Sequence, residues 1–86
     1  MGKIFLVQEN VRTRHSDETF STIAACTTKK AAEGIILAQK EAVNQEWADY
    51  IDEDWEVESD TPTCYEIHDD DYDTLYNVWV EEIELR

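Results

Sequence analysis

The fold is decided by residues 28–50, which read TKKAAEGIILAQKEAVNQEWADY. Thr27 and Thr28 offer hydroxyl groups that can cap the N-terminus of a helix. After them, apolar residues recur at helical spacing and form one stripe. The stripe consists of Ala32, Ile35, Ile36, Ala42, Val43, Trp47 and Tyr50. This pattern predicts one long amphipathic helix over residues 28–50.

Strand-like segments flank this helix on both sides. They are Lys3–Val11, Thr19–Cys26, Thr63–His68 and Tyr76–Leu85. A short polar connection joins the first two, which predicts an antiparallel hairpin. The alternating segment 54–58 predicts either a short strand or an extended arm. In the last strand, Ile83 and Leu85 lie an odd number of positions after Val80, so the apolar residues change faces and we expect a bulge at residues 81–82.

Four strands around one helix, in the order β-β-α-β-β, predict a single domain over residues 1–86. The expected fold class is α+β, a two-layer ββαββ domain in which the helix packs on one face of an antiparallel sheet. A chain of 86 residues leaves no room for a second core. The other face of the sheet is then left to water or to a partner.

Three segments carry a resemblance to known proteins. Residues 3–7 read KIFLV, residues 27–33 read TTKKAAE and residues 78–82 read VWVEE. These segments are similar to those of a diffuse group of short bacterial and phage proteins, which largely lack an assigned function. The resemblance implies the ββαββ order and implies no catalytic activity.

Charge is distributed unevenly along the chain. Residues 41–85 contain seventeen Asp and Glu residues and no Lys or Arg, whereas the first forty residues hold four acids and six bases. The net charge of −14 therefore comes from the C-terminal half. Such a surface attracts basic partners and repels phosphate, which argues against direct binding of nucleic acid.

No motif predicts catalysis or a bound cofactor. Gly2 and Gly34 are the only glycines, so the chain has no Gly-rich phosphate loop, and it has no G-x-S-x-G motif. An EF-hand loop that started at Asp69 would need Gly at its sixth position and Glu at its twelfth, where Thr74 and Val80 stand. We therefore expect a non-enzymatic protein with no cofactor and no metal site.

The remaining soft metal ligands indicate little. His15, Cys26, Cys64 and His68 lack the short pair spacing of structural zinc sites. Both cysteines lie in predicted strands, which is typical of buried thiols in a reducing compartment. The apolar run Ile4–Val7 is too short for a signal peptide. We expect a cytoplasmic protein of a bacterial host cell, with no membrane contact.

The charge pattern favours an acidic inhibitor or modulator that binds a basic nucleic-acid-handling protein by imitating the charge of nucleic acid. Carboxylates about 6 Å apart along a helix face or a strand approximate the spacing of backbone phosphates. Phage anti-CRISPR and anti-restriction proteins are the functional analogy, with a nuclease or CRISPR effector as the expected partner. The residues expected to bind are Glu46, Asp49, Asp52, Glu53, Asp54, Glu56, Glu58, Asp69, Asp70, Asp71, Asp73, Glu82 and Glu84.

Two alternatives stay open. The charge pattern leaves the chain as a monomer or a homodimer. In the first alternative it is a homodimerising or accessory α+β domain whose acidic surface only keeps it soluble. An acidic surface can also be an adaptation to a saline environment. The uneven distribution of charge counts against that adaptation, because it should acidify both halves of the chain.

Overall fold

The computed structural model describes residues 2–13 and 16–85. Within these residues, five strands and one helix follow the order β-β-α-β-β-β. The elements are β1 (Gly2–Thr13), β2 (Ser16–Cys26), α1 (Lys29–Glu46), β3 (Glu56–Thr61), β4 (Cys64–His68) and β5 (Leu75–Leu85). His15, one of the zinc ligands considered above, lies outside the described residues.

The five strands form one antiparallel sheet in the order β2-β1-β5-β4-β3. The predicted ββαββ layout is therefore wrong, although the α+β class is confirmed. The additional strand is β3, whose sequence EVESDT carries three acids and has a low β-propensity. It pairs only with β4 and keeps its acidic side chains exposed. Because an edge strand has one neighbour and little to bury, its sequence did not distinguish it from an extended arm.

The helix begins as predicted but ends earlier. The Oγ1 atom of Thr28 accepts a hydrogen bond of 3.1 Å from the backbone N–H of Ala31, which caps the first turn. The helix ends at Glu46 instead of residue 50, because the N–H of Tyr50 donates to the carbonyl of Trp47 in a tight turn. The chain leaves the helix axis there, and the most acidic segment starts at this turn.

The core lies between α1 and one face of the sheet. Ala32, Ile36 and Val43 of the helix are buried there. The sheet contributes Phe5, Val7, Tyr65, Ile67, Tyr76 and Val78. These residues come from β1, β4 and β5, so the three inner strands carry the buried contact and the outer strands remain largely exposed.

The opposite face of the sheet carries a second apolar group. β1 and β5 pair without a register shift along their whole length, so the bulge expected at residues 81–82 does not form. The change of faces in β5 is real, and it places the last apolar residues on the side away from α1. We refer to this surface as the open face, which consists of Ile4, Leu6, Trp79, Ile83 and Leu85.

Candidate functional site

One end of the molecule brings together three segments that are distant in sequence. Because β1 lies beside β5, the adjacent ends of β1 and β2, at Thr13 and Asp17, lie beside the loop between β4 and β5, and the turn after α1 lies beside both. We refer to this region as the acidic end. It is defined by the carboxylates that line its two clefts, which are Asp17, Glu18, Asp52, Asp54, Asp69, Asp70, Asp71 and Asp73.

The first cleft, which we refer to as the aromatic cleft, has a volume of about 520 Å³ and is lined by Trp47, Tyr50 and Trp55 together with four of these carboxylates. Trp47 meets Trp55 edge to face, with ring centroids 6.1 Å apart. It also meets the buried Tyr76, with centroids 5.9 Å apart. Tyr50 is 73% exposed. Aromatic faces beside carboxylates attract cations, so the aromatic cleft suits a Lys or Arg side chain.

A local turn positions two of the residues of the aromatic cleft. The Oδ1 atom of Asp52 accepts a hydrogen bond of 2.9 Å from the N–H of Asp54. The carbonyl of Asp52 accepts another of 3.2 Å from the N–H of Trp55. Asp residues commonly stabilise turns in this way. The turn holds one carboxylate and one indole beside the same opening.

The second cleft, of about 490 Å³, lies between the adjacent ends of β1 and β2 and the loop that follows β4. Arg12 connects the two, because its Nη2 donates a hydrogen bond of 2.6 Å to the carbonyl of Tyr72 and its Nη1 lies 3.6 Å from the carboxylate of Glu18. Among the described residues, Arg12 is the one Lys or Arg that lines either cleft. Arg12 therefore faces the carboxylates of the acidic end, and it also holds the hairpin against the loop.

A buried histidine lies beside the acidic end. The Nε2 atom of His68 is 2.8 Å from Glu58 and 4.0 Å from Glu56, and its Nδ1 is 2.6 Å from the carbonyl oxygen of Asp69. Burial lowers the pKa of His68, but its hydrogen bonds to Asp69 and Glu58 outweigh burial and raise the pKa overall. The hydrogen bond from His68 lowers the pKa of Glu58. The charge of Glu58 in turn raises the pKa of Tyr72.

Most of the predicted binding residues lie at or near the acidic end. Its clefts include Asp52, Asp54, Asp69, Asp70, Asp71 and Asp73. Glu46, Asp49 and Glu53 are exposed at the end of α1 and in the turn that follows. Asp69 differs from the others because it is buried, and its Oδ1 accepts a hydrogen bond of 3.3 Å from the N–H of Thr74. Its role in this structure is to close the loop.

Four predicted residues are placed differently. Glu56 and Glu58 face His68, as described above. Glu82 and Glu84 lie near the far end of β5, about 27 Å from the loop at roughly 3.4 Å per residue. Glu82 also forms an ion pair of 3.4 Å with Lys3. The structure therefore does not bring Glu82 and Glu84 into the acidic end.

Two residues of the acidic end were missed by sequence reasoning. Asp17 and Glu18 belong to the N-terminal half, where bases outnumber acids. Their place at the acidic end depends on β1 and β5 being neighbours in the sheet. No local signal in the sequence predicts that β1 and β5 are neighbours.

Comparison with known protein families, with curated proteins and with solved structures finds no match to this chain. Among the described residues, no helix has the length and the apolar composition needed to cross a membrane.

Proposed function

We propose that the acidic end binds a basic surface of a nucleic-acid-handling protein, and that the chain acts as an inhibitor or modulator by occupying the place of nucleic acid. The observation that carries this proposal is the convergence of carboxylates from three segments around the aromatic cleft. A surface with this charge recruits Lys and Arg side chains and does not attract phosphate. The chain is then a binding protein with no catalytic role.

The positions of the cations strengthen this argument. Lys29 and Lys30 begin α1, and a helix of 18 residues places its two ends about 27 Å apart. Lys3 lies near the far end of β1, opposite Glu84 in the register. These cations are therefore remote from the acidic end, beyond the Debye length of about 8 Å at physiological ionic strength. These three lysines therefore do little to screen the field of the acidic end, and a basic partner should associate quickly and more weakly as salt rises.

The aromatic cleft supplies a specific contact in addition to long-range attraction. A planar guanidinium group can stack on an aromatic ring and pair with a carboxylate at the same time. Tyr50 offers the exposed ring, and Asp54 offers a carboxylate on the same cleft. Interface hot spots are often Arg and aromatic residues. We therefore expect one arginine of the partner to enter this cleft.

The first experiment identifies the partner. The immobilised protein is incubated with bacterial lysate, eluted by a salt gradient and analysed by mass spectrometry. We expect nucleases or other DNA-binding proteins in the fractions that depend on salt. Addition of the free protein in excess should slow DNA cleavage or DNA binding by the recovered partner. Recovery of proteins that bind equally at low and high salt would contradict the proposal.

A matched pair of variants then locates the contact. Glu53→Lys with Asp54→Lys reverses one exposed charge at the acidic end and its neighbour in the same turn, and Glu82→Lys with Glu84→Lys makes the same charge change at the far end of β5. The first variant should weaken partner binding by at least about 1.4 kcal/mol, or tenfold, and the second much less. Circular dichroism checks that both variants are folded. Equal losses in the two variants would show that net charge alone drives the binding.

The open face favours homodimerisation as a second candidate function. Ile83 and Leu85 are exposed there, beside Trp79 and across from β1. Exposed apolar patches of this kind often mark interfaces between proteins. Light scattering at moderate salt measures the oligomeric state, and Ile83→Asp should dissociate a dimer that uses this face. A monomer at high protein concentration would exclude this function.

A further inference from the structure

The group formed by Glu56, Glu58 and His68 has the composition of a metal site. One oxygen from each carboxylate and one ring nitrogen lie within 4.8 Å of one another. Glu56 stands opposite His68 in the β3–β4 pairing, and a register shift next to Glu58 brings both carboxylates to the same imidazole. His68 is 1% exposed, so its ring is held in one place by the surrounding protein.

The hydrogen bond between His68 and the carbonyl of Asp69 decides which ring nitrogen is free to bind a metal ion. A carbonyl oxygen can only accept, so Nδ1 of His68 must donate its hydrogen to the carbonyl of Asp69, 2.6 Å away. The other nitrogen, Nε2, then points at two acceptors. The 2.8 Å contact between Nε2 and the Glu58 oxygen requires a proton or a metal ion between these two atoms, and the Glu56 carboxylate lies 4.0 Å from the same nitrogen. Histidines that bind metals commonly donate their second ring N–H to a backbone carbonyl or a carboxylate, as His68 does.

Tyr72 covers the group and fixes it further. Its ring stacks on the imidazole of His68 with centroids 3.8 Å apart and planes 17° from parallel. Its hydroxyl lies 3.3 Å from the Glu58 carboxylate, to which it donates a hydrogen bond. Tyr72 has a φ of 59°, a left-handed conformation that is uncommon for residues other than glycine. The backbone of Tyr72 is therefore strained where its ring stacks on His68. Strained residues cluster at functional sites.

We propose that Glu56, Glu58 and the Nε2 atom of His68 bind one divalent transition-metal ion, of which Zn²⁺ is the best match. A tetrahedral zinc site places nitrogen and oxygen ligands about 2.1 Å from the ion, and therefore about 3.4 Å from one another. The two Nε2–carboxylate distances, 2.8 and 4.0 Å, bracket that spacing. Ca²⁺ and Mg²⁺ prefer six or more oxygen ligands, so this group should discriminate against them. The fourth zinc ligand is then a water molecule.

The test is a calorimetric titration of chelator-treated protein with Zn²⁺, in parallel with Ca²⁺ and Mg²⁺. We expect one Zn²⁺ per chain, a rise in the melting temperature with Zn²⁺ and no comparable rise with Ca²⁺. Titration with Co²⁺ gives a second readout, because Co²⁺ bound tetrahedrally by nitrogen and oxygen ligands absorbs strongly in the visible range.

Glu56→Gln is the decisive variant, because Glu56 is 67% exposed and its substitution leaves the hydrogen bond between His68 and Glu58 in place. Even outer partners of metal sites contribute about 10- to 100-fold to affinity, so the loss of a direct ligand should weaken Zn²⁺ binding at least about tenfold. Glu53→Gln is the control, since it removes the same charge from an exposed position in the same acidic half.

Two results would overturn the proposal. Equal Zn²⁺ affinities for the wild type, Glu56→Gln and Glu53→Gln would mean adventitious binding by the acidic surface. An absence of binding heat together with an unchanged melting temperature would mean that a proton alone lies between His68 and the carboxylates. Neither result bears on the partner of the acidic end, because the lysate capture and the charge-reversal variants test that function separately.

Discussion

Tyr76→Phe tests how much the buried hydroxyl of Tyr76 stabilises the fold. Tyr76 is 2% exposed, and its hydroxyl donates a hydrogen bond of 2.7 Å to the carboxylate of Glu9. The oxygen of the Gln39 side chain lies 3.4 Å from the same hydroxyl. Phenylalanine keeps the ring and its edge contact with Trp47, so the hydrogen bond is the main loss. Hydrogen bonds to charged groups contribute about 1.5–3 kcal/mol.

We therefore expect Tyr76→Phe to lower the free energy of unfolding by about 2 kcal/mol. Urea denaturation followed by far-UV circular dichroism measures this loss, and the melting temperature should fall by roughly 10 °C for a domain of this size. Tyr50→Phe is the matched control, because Tyr50 is exposed and its change should stay within about 0.5 kcal/mol. If both variants unfold at the same urea concentration as the wild type, the buried hydroxyl does not stabilise the fold and the reasoning is refuted.

Three further predictions follow from burial and charge. Burial and the hydrogen bond to Glu9 raise the pKa of Tyr76, so its phenol should ionise only when the protein unfolds. Its contribution to stability is complete below about pH 10 and is lost as pH rises further, which absorbance at 295 nm and circular dichroism can follow together. Ile36→Ala should cost about 3 kcal/mol in urea denaturation, because Ile36 is 2% exposed, whereas Leu37→Ala at a 55% exposed position should cost less than about 0.5 kcal/mol. Finally, the melting temperature should rise from low to physiological NaCl concentration, because salt screens the repulsion among the acidic side chains; a fall would contradict this account.

The helix and the inner strands could be predicted from the sequence because their signals are local. The Thr28 hydroxyl and the apolar stripe specify the start and the buried face of α1 without reference to the rest of the chain. The strand β3 has no comparable local signal. Its pairing depends on β4 offering a free edge, and a segment with one buried neighbour shows little apolar periodicity.

The change of faces in β5 shows how a correct pattern led to a wrong conclusion. The sequence pattern places Ile83 and Leu85 on the face opposite Val80, as the structure does, but the predicted bulge that would return them to the core does not form. The uninterrupted pairing with β1 shows that Ile83 and Leu85 instead stay on the face away from α1, whereas Glu82 and Glu84 lie on the face that carries Phe5. A sequence argument that assumes one apolar face cannot anticipate a second, exposed one, because only the position of the helix decides which face is covered.

The acidic end could be predicted in its composition but not in its arrangement. Asp52, Asp54 and the run of aspartates after Asp69 were identified because they are dense in sequence. Their position beside Asp17 and Glu18 follows from strand order, and the distance of Glu82 from them follows from the length of β5. The pairing of His68 with Glu58 is likewise a cross-strand contact, ten positions apart in the chain, with no spacing rule that reveals it.

The acidic end is ordered by contacts that oppose its own repulsion. Arg12 holds the loop through the carbonyl of Tyr72, Asp69 closes that loop on Thr74, and Trp47 meets the buried ring of Tyr76. These contacts keep like charges near one another. The repulsion among them destabilises only the folded state, because the unfolded chain separates the charges. A partner that neutralises these charges removes this repulsion and therefore stabilises the folded state relative to the unfolded one. Binding of a basic surface should therefore raise the melting temperature of this chain at low salt more than at high salt, whereas a partner held by the open face should show little such dependence.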